Sequence, residues 1–273
     1  MEVNKEIQRE YNPTHPNYKK WQRAREISDE RAEFVEKIIS TQVTPEGLRI
    51  LDIGSGEGST SRLLSKKNFV VSLEIQFERI KKISQAESLQ PIIADGLKSP
   101  FKPRSFDLII LQDVIEHISF NENLFKYLSE FLKENGIIYL STPNRLSLFN
   151  IISDPHWGLP FLSLFKRNQI KKYFLKSFRK SDYTRNDIAE LLSLKKLNEM
   201  FSEKFALEIR TKFSVEYLLN GGKGLVWSSF HLWLIKLVNH LGLKRIILNV
   251  ANNKTGIVNK FLTPTFYILL KKK

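Results

Sequence analysis

The sequence predicts an α/β fold: a mostly parallel sheet with helices packed on both faces. Three observations carry the prediction. Runs that are apolar almost throughout recur at 48–53, 69–73, 91–94, 106–111 and 137–140, and strands buried on both faces read this way. Helical patterns lie between them, the alternation that makes neighbouring strands parallel. Polar groups stand just past the ends of the runs, at 52–58, Glu74, Asp95 and Gln112-Asp113, where such sheets bind their ligands.

In chain order, residues 1–20 are polar, include Pro13 and Pro16, and read as a loosely ordered arm. A helix is expected over 21–40, where Ala24, Ile27, Arg31, Phe34, Val35 and Ile38 form a rough stripe of helical period. The first strand, 48–53, runs into Gly54-Ser55-Gly56-Glu57-Gly58, and a helix follows over 59–67. The second strand ends at Glu74, and a basic amphipathic helix is expected over 77–87. The third strand, 91–94, ends at Asp95-Gly96, and the fourth, 106–111, at Gln112-Asp113. A helix over 121–134, capped by Asn135-Gly136, leads to the fifth strand, 137–140. Beyond it a helix is expected over 185–201, with further strands at 205–211 and 265–270.

The glycine loop narrows the ligand. Glycine tolerates φ > 0 and, lacking a Cβ, lets a ligand approach the backbone, and a helix start favours anionic groups. The dinucleotide spacing G-x-G-x-x-G fails, because Ser59 stands where the third glycine belongs. No Gly-Lys-Ser/Thr follows either, which excludes a phosphate loop of the ATPase kind.

The chain has 273 residues and no cysteine. That excludes disulfides, thiolate nucleophiles and cysteine-bound metals, and fits a reducing, cytoplasmic setting. The first residues lack the apolar stretch of a signal peptide. The net charge of +14 is unevenly placed. Residues 1–154 hold 21 Lys/Arg and 22 Asp/Glu, whereas 155–273 hold 22 and 7. An anionic partner is therefore expected on the second half. Residues 155–181 carry seven Lys/Arg, no Asp/Glu and several aromatics. The stretch 225–243, with Trp227, Phe230, Leu234, Leu237 and Leu241 at helical spacing and Trp233 widening the stripe, also carries His231, Lys236 and His240. It reads as buried or interfacial rather than membrane-spanning. The expected organisation is an N-terminal arm and helix, 1–44, then one domain, 45–273, with a lid at about 145–184 and an apolar helical insertion at 214–262.

Several of these stretches together resemble one family. Leu51-Asp52-Ile53-Gly54-Ser55-Gly56-Glu57-Gly58 looks like the first motif of class I S-adenosylmethionine-dependent methyltransferases. Residues 100–118, with Ser105-Phe106-Asp107 and Ile115-Glu116-His117, are similar to the corresponding run in the small-molecule group typified by ubiquinone biosynthesis. Ser141-Thr142-Pro143-Asn144-Arg145 and Asp154-Pro155-His156-Trp157-Gly158-Leu159-Pro160 resemble a subgroup from bacterial polysaccharide and cell-surface biosynthesis. The resemblance covers residues 45–160 well and the 214–262 stretch poorly. It implies a Rossmann-like, seven-stranded sheet with helical insertions after strands five and six. It also implies S-adenosylmethionine as cofactor and S-adenosylhomocysteine as product.

Carried over position by position, the resemblance assigns cofactor binding to Asp52, Gly54, Ser55, Gly56, Gly58, Glu74, Ile75, Asp95, Gly96, Gln112 and Asp113. Asp52 would attract the cofactor's ammonium, Glu74 would accept from the ribose hydroxyls, and Asp95 from the adenine amino group. The Gly96-Leu97 backbone would meet the adenine edge. Methyl transfer gains from in-line positioning and, for a hydroxyl acceptor, from a general base; His117 and His156 are the candidates. Five histidines scattered without metal-ligand spacing lead to no expected metal site. The expected acceptor is a small or lipid-linked hydroxyl compound of cell-surface glycan or quinone-like metabolism, with the basic half in peripheral contact with an anionic membrane. An RNA methyltransferase and a non-catalytic partner subunit are the alternatives, and nucleic acid is the less favoured partner. The sequence leaves the oligomeric state open.

Overall fold

The computed structural model describes residues 11–96, 101–118, 122–185, 187–225 and 229–273. The strands are β1 Arg49–Ile53, β2 Phe69–Glu74, β3 Leu89–Ile93, β4 Phe106–Gln112, β5 Leu132–Pro143, β6 Phe205–Ile209 and β7 Thr265–Lys272. They form one seven-stranded sheet in the order β3-β2-β1-β4-β5-β7-β6. The first five run parallel, and β7 lies antiparallel between β5 and β6. Chain order reverses between β1 and β4, which opens a crevice at their C-terminal ends.

Successive residues of a strand face opposite sides of a sheet, and the two cores follow this rule. Leu51, Val71 and Ile109 face one core, which α5 (Glu122–Phe131) and α7 (Leu194–Phe201) cover with Leu124, Leu128, Leu197 and Phe201. Ile50, Val70 and Leu108 face the other, covered by α2 (Ser28–Ile39), α3 (Ser59–Leu64) and α4 (Phe77–Ile80) through Phe34, Ile38, Leu64 and Ile80. The apolar runs of β1, β2 and β4 are therefore buried on both sides.

Several expected boundaries move. The first helix divides at Ile27 into α1 (Tyr18–Glu26) and α2. The helix expected over 77–87 stops at Ile80, and the chain turns so that Ile83 packs under Gly58. β5 begins at Leu132 rather than Ile137, because Leu132 pairs with Phe106 before a register shift. Gly136 is thus not a helix cap. A Cβ there would lie 2.7 Å from the Leu132 side chain and 3.0 Å from the Asp107 carbonyl, so glycine serves close strand approach. The helix expected from Arg185 starts at Leu194, where the Ser193 hydroxyl accepts from Lys196 N. Upstream, Ile188, Ala189 and Leu191 are buried from a non-helical segment, and Leu192 bridges to Asn144.

After β5 come α6 (Leu148–Ile152) and an irregular helix spanning Arg167–Gln169, a π-turn at Ile170–Leu175, and Lys176–Phe178. Trp157, Leu162, Ile170, Phe174, Leu175 and Ile188 form a small core of their own there. Between β6 and β7 lie α8 (Thr211–Leu219), α9 (Ser229–His240), α10 (Lys244–Val250) and a π-turn at Val258–Leu262. Trp227, Leu97 and Asn121 lie outside the described residues, as do the side chains of Phe230, His231 and Leu234. Trp233 is 56% exposed. Among the described residues no helix is long and apolar enough to cross a membrane.

Candidate functional site

The glycine loop closes the β1 side of the crevice. Gly54, Gly56 and Gly58 all adopt left-handed φ, at 71°, 58° and 79°. Two of them are needed for packing: a Cβ at Gly54 would meet Val114 at 2.5 Å, and one at Gly58 would meet Ile83 at 2.5 Å. Gly56 differs: among the described residues nothing lies within 4 Å of its Cβ position. Its backbone is open to close approach from outside.

Asp52 lies beneath this loop, 2% exposed, and accepts from the Ser61 hydroxyl at 2.5 Å. Ser61 also meets the Ser72 hydroxyl at 2.7 Å. Burial pushes the Asp52 carboxyl up to about 6, and the Ser61 hydrogen bond opposes that rise. Through one carboxylate oxygen Asp52 thus holds the start of α3 from below. Glu74, at the end of β2, accepts from Gly56 N at 3.0 Å and from Gln76 N at 2.9 Å. Beside it Ile75 is 65% exposed. Ser55 Oγ and Gln76 Oε1 are buried without a hydrogen-bond partner among the described residues; such groups are rare in folded proteins, and here one lies in the open loop and the other just past Glu74. Asp95 and Gly96 follow β3, and a Cβ at Gly96 would clash with Ile53 at 2.5 Å. The tight fit holds the 95–96 turn against β1. The loop therefore fits a ligand that carries both a polar edge and a group needing backbone contact.

The β4 side is built from more distant parts of the chain. The Gln112 side chain accepts from Thr60 Oγ1 at 2.8 Å, linking β4 to α3. Asp113 sits at φ 55°. Its carboxylate accepts from Ser141 Oγ at 2.7 Å and pairs with Arg31, reaching across from α2. That pair engages Asp113 within the fold. Arg31 stood in the sequence as one member of the helical stripe, and nothing along the chain linked it to Asp113.

His117 and His156, 39 positions apart, meet edge to face with ring centroids 5.3 Å apart. His117 Nδ1 lies 2.8 Å from the Asp187 carbonyl. A carbonyl only accepts, so Nδ1 carries the proton and Nε2 keeps a lone pair. Burial lowers the His117 pKa, with the Asp187 charge opposing, and lowers that of His156 well below its ordinary value, with His117 adding to the effect. Both rings are therefore neutral near pH 7. Asp187 itself is pushed up by burial, but hydrogen bonds and charge from Arg185 outweigh this and hold it at about 2.

Glu116 completes the cluster. It is 1% exposed, accepts from Thr142 Oγ1 at 2.9 Å, and leaves Oε1 without a partner among the described residues. Burial, with the nearby Asp113 charge, raises its carboxyl to about 8. Glu116 stood in the sequence as a motif residue with no role assigned, and only its unpaired oxygen marks it. One ligand-type atom each from Glu116, His117 and His156 lie within 4.8 Å of one another. Such atoms bind divalent cations, so these three residues could hold one; sequence spacing showed no sign of the grouping.

The arm expected to be loose is tied down where it is described. The Tyr11 hydroxyl donates to Glu57 at 2.7 Å, the His15 ring meets buried Asp182 at 3.2 Å, and Asn17 Nδ2 donates to the His156 carbonyl at 2.8 Å. It spans from the glycine loop to the segment carrying His156.

Comparison with known proteins places this geometry. Among solved structures, a S-adenosylmethionine-dependent methyltransferase from Mesorhizobium loti superposes with a TM-score of 0.52 at 14% identity, over 87% of this chain and 96% of that one. The [4+2]-cyclase SpnF superposes with a TM-score of 0.51 at 10% identity, over 88% and 81%. Both likenesses concern the fold alone. A ubiquinone biosynthesis O-methyltransferase from Leptothrix cholodnii is 25% identical over 130 residues, 44% of this chain and 53% of that protein. A malonyl-[acyl-carrier protein] O-methyltransferase from Legionella pneumophila is 26% identical over 149 residues, 52% and 51%. The chain thus spans about half the length of these curated relatives. A family model described as a methyltransferase domain matches residues 18–209, from α1 through β6 and including both sides of the crevice. On that match the chain belongs to the methyltransferase-domain family.

Proposed function

We propose that the chain binds S-adenosylmethionine and transfers its methyl group to a hydroxyl of a small or lipid-linked acceptor, leaving S-adenosylhomocysteine. The observation that carries the reading is the open cradle at the crevice: Gly56 with free space above it, flanked by Glu74 and the partnerless Ser55 hydroxyl. S-adenosylmethionine would supply an activated methyl group. Gly56 would admit its amino-acid end to the backbone. Glu74 has lone pairs beyond the two it uses and would accept from ribose hydroxyls. Asp95 and Gly96 would meet the adenine, Ile75 would cover it, and the backbone carbonyl of Gln112 would receive the ammonium.

Acceptor chemistry is assigned to the histidine cluster. A neutral imidazole with a free Nε2 lone pair can take a hydroxyl proton as the methyl group arrives. Asp187 orients the His117 ring and Asn17 anchors the backbone of His156. Two relatives named as O-methyltransferases favour oxygen as the acceptor atom. The Glu116, His117 and His156 grouping supports a second reading, in which a divalent cation held by these residues would lower the acceptor hydroxyl's pKa, in place of proton removal by a bare imidazole. Loss of turnover in chelator, restored by added magnesium or zinc, is the outcome that selects it; turnover indifferent to chelator selects the imidazole.

Calorimetry with S-adenosylhomocysteine tests the cofactor assignment. Gly56→Ala has room to fold, at a cost of about 1–2 kcal/mol for its left-handed φ. Its Cβ would occupy the ligand's space, so affinity should fall at least tenfold. Wild-type affinity in this variant would sink the assignment.

A further inference from the structure

We infer that α6, the Phe161 turn and the 257–262 segment form one face that docks on an anionic lipid surface, and that it brings the turn carrying His156 to the membrane. The inference rests on the proposed transfer to a lipid-linked acceptor and names where that acceptor is met. Large apolar side chains project from all three pieces: Leu148, Phe149 and Ile152 of α6 at 50%, 45% and 71% exposure, Phe161 at 61%, and Ile257 and Leu262 at 76% and 43%. Groupings of this kind mark interaction surfaces.

The pieces are fastened to one another. Phe161 N donates to the Ile151 carbonyl at 2.6 Å. Buried Asn144 donates to the carbonyls of Asn259, Lys260 and Thr263 at 3.2, 3.1 and 2.8 Å, and Asn150 donates to that of Pro264 at 2.7 Å. Phe161 holds φ at 66°, an uncommon conformation for a bulky residue.

Charge selects the occupant. Residues 155–181 contain seven Lys/Arg and no Asp/Glu, and Lys254 and Lys260 flank Ile257 in sequence. Basic residues that neighbour exposed apolar ones along the chain suit an anionic bilayer, where the first meet headgroups and the second enter the interface. A neutral protein groove would leave the basic excess unmatched. His156 lies between Ile152 and Phe161 in the chain, in a turn closed by Asp154 N donating to the Leu159 carbonyl at 3.0 Å. The face and the histidine cluster therefore share one support.

The test is co-sedimentation of the full chain with phosphatidylcholine vesicles, with and without phosphatidylglycerol, at low and high salt. Wild type should pellet with the anionic vesicles and be released by salt. The triple variant Ile152→Ser, Phe161→Asn, Ile257→Ser should bind at least tenfold more weakly; all three positions are exposed, and asparagine suits the φ of 161. Lys171→Glu with Lys172→Glu should also weaken binding. Wild type left in the supernatant, a triple variant that pellets equally, or retention on RNA in place of vesicles would each overturn the inference. A second copy covering the face would do so too, seen as a dimer by sedimentation equilibrium that the triple variant abolishes. Calorimetry with S-adenosylhomocysteine on the same preparations separates the two readings. Retained affinity without vesicle binding overturns only the docking, whereas absent affinity in wild type overturns the methyl-transfer reading as well.

Discussion

The glycine loop and the histidine cluster stand at the ends of adjacent strands, β1 and β4, yet they are built in opposite ways. The loop is largely local: its three glycines, its supporting Asp52 and its Ser61 anchor fall within ten residues, and Glu74 joins them from the end of the neighbouring strand. The cluster is assembled from afar, with Glu116 and His117 after β4, His156 beyond β5, Asp187 further on, Asn17 from the arm and Arg31 from α2. Their burial differs in effect as well. Under the loop it holds one carboxyl at about 6; in the cluster it raises Glu116 to about 8 while keeping two imidazoles neutral. A binding loop can be rigid and sequence-local, whereas a proton-handling group needs surroundings that no single segment supplies.

The largest expected effect separates the two halves functionally. His117→Ala and His156→Ala should each lower turnover by roughly 10²–10⁴-fold while leaving affinity for S-adenosylhomocysteine within about twofold. Unchanged turnover on the true acceptor would return the pair to a structural role. Next comes stability. Phe201→Ala, 1% exposed in the main core, should cost about 3–5 kcal/mol in urea unfolding. Phe174→Ala, in the small core around Trp157, should cost less, because fewer side chains enclose it. Equal losses would make that segment an integral part of the main domain.

On the loop side, Glu74→Ala should weaken S-adenosylhomocysteine binding by about 10–100-fold, the range of a charge-assisted hydrogen bond at roughly 1.5–3 kcal/mol. Affinity equal to wild type would remove Glu74 from the cofactor site. The smallest signal is a slope with pH. A carboxyl raised to about 8 by burial favours the folded state fully below its unfolded value of 4.5, and that contribution is lost as pH climbs toward 8. The lowered histidines act oppositely: they lose stability as pH falls below 6.5. Between pH 6.5 and 8 Glu116 therefore dominates. Glu116→Gln should flatten a decline of at most about 1.4 kcal/mol per pH unit, followed by thermal unfolding. Parallel curves for the two proteins would show that Glu116 is ionised in the fold.

Legibility in the sequence followed the same divide. β1, β2 and β4 were readable because both faces of each are buried, which leaves uninterrupted apolar runs. The loop was readable because left-handed φ and close packing at Gly54 and Gly58 demand glycine at fixed spacing. The helices expected over 77–87 and 185–201 were overdrawn, since apolar residues such as Ile83, Ile188 and Leu191 pack equally well from turns and extended chain. The ordered arm at 11–20 was missed because its bonds run to Glu57, His156 and Asp182, none of them near in sequence.

By itself, then, the chain's order of residues determined the α/β alternation, the buried strands and the cofactor-side loop, all consequences of period-two burial and backbone freedom that act over a few residues. Only the tertiary structure decided which side chains share a low-dielectric pocket. It paired Arg31 with Asp113, brought His156 against His117, and left Glu116 Oε1 without a partner. The physical reason is range: backbone conformation is set by neighbours along the chain, whereas protonation and approach of acceptor depend on neighbours in space.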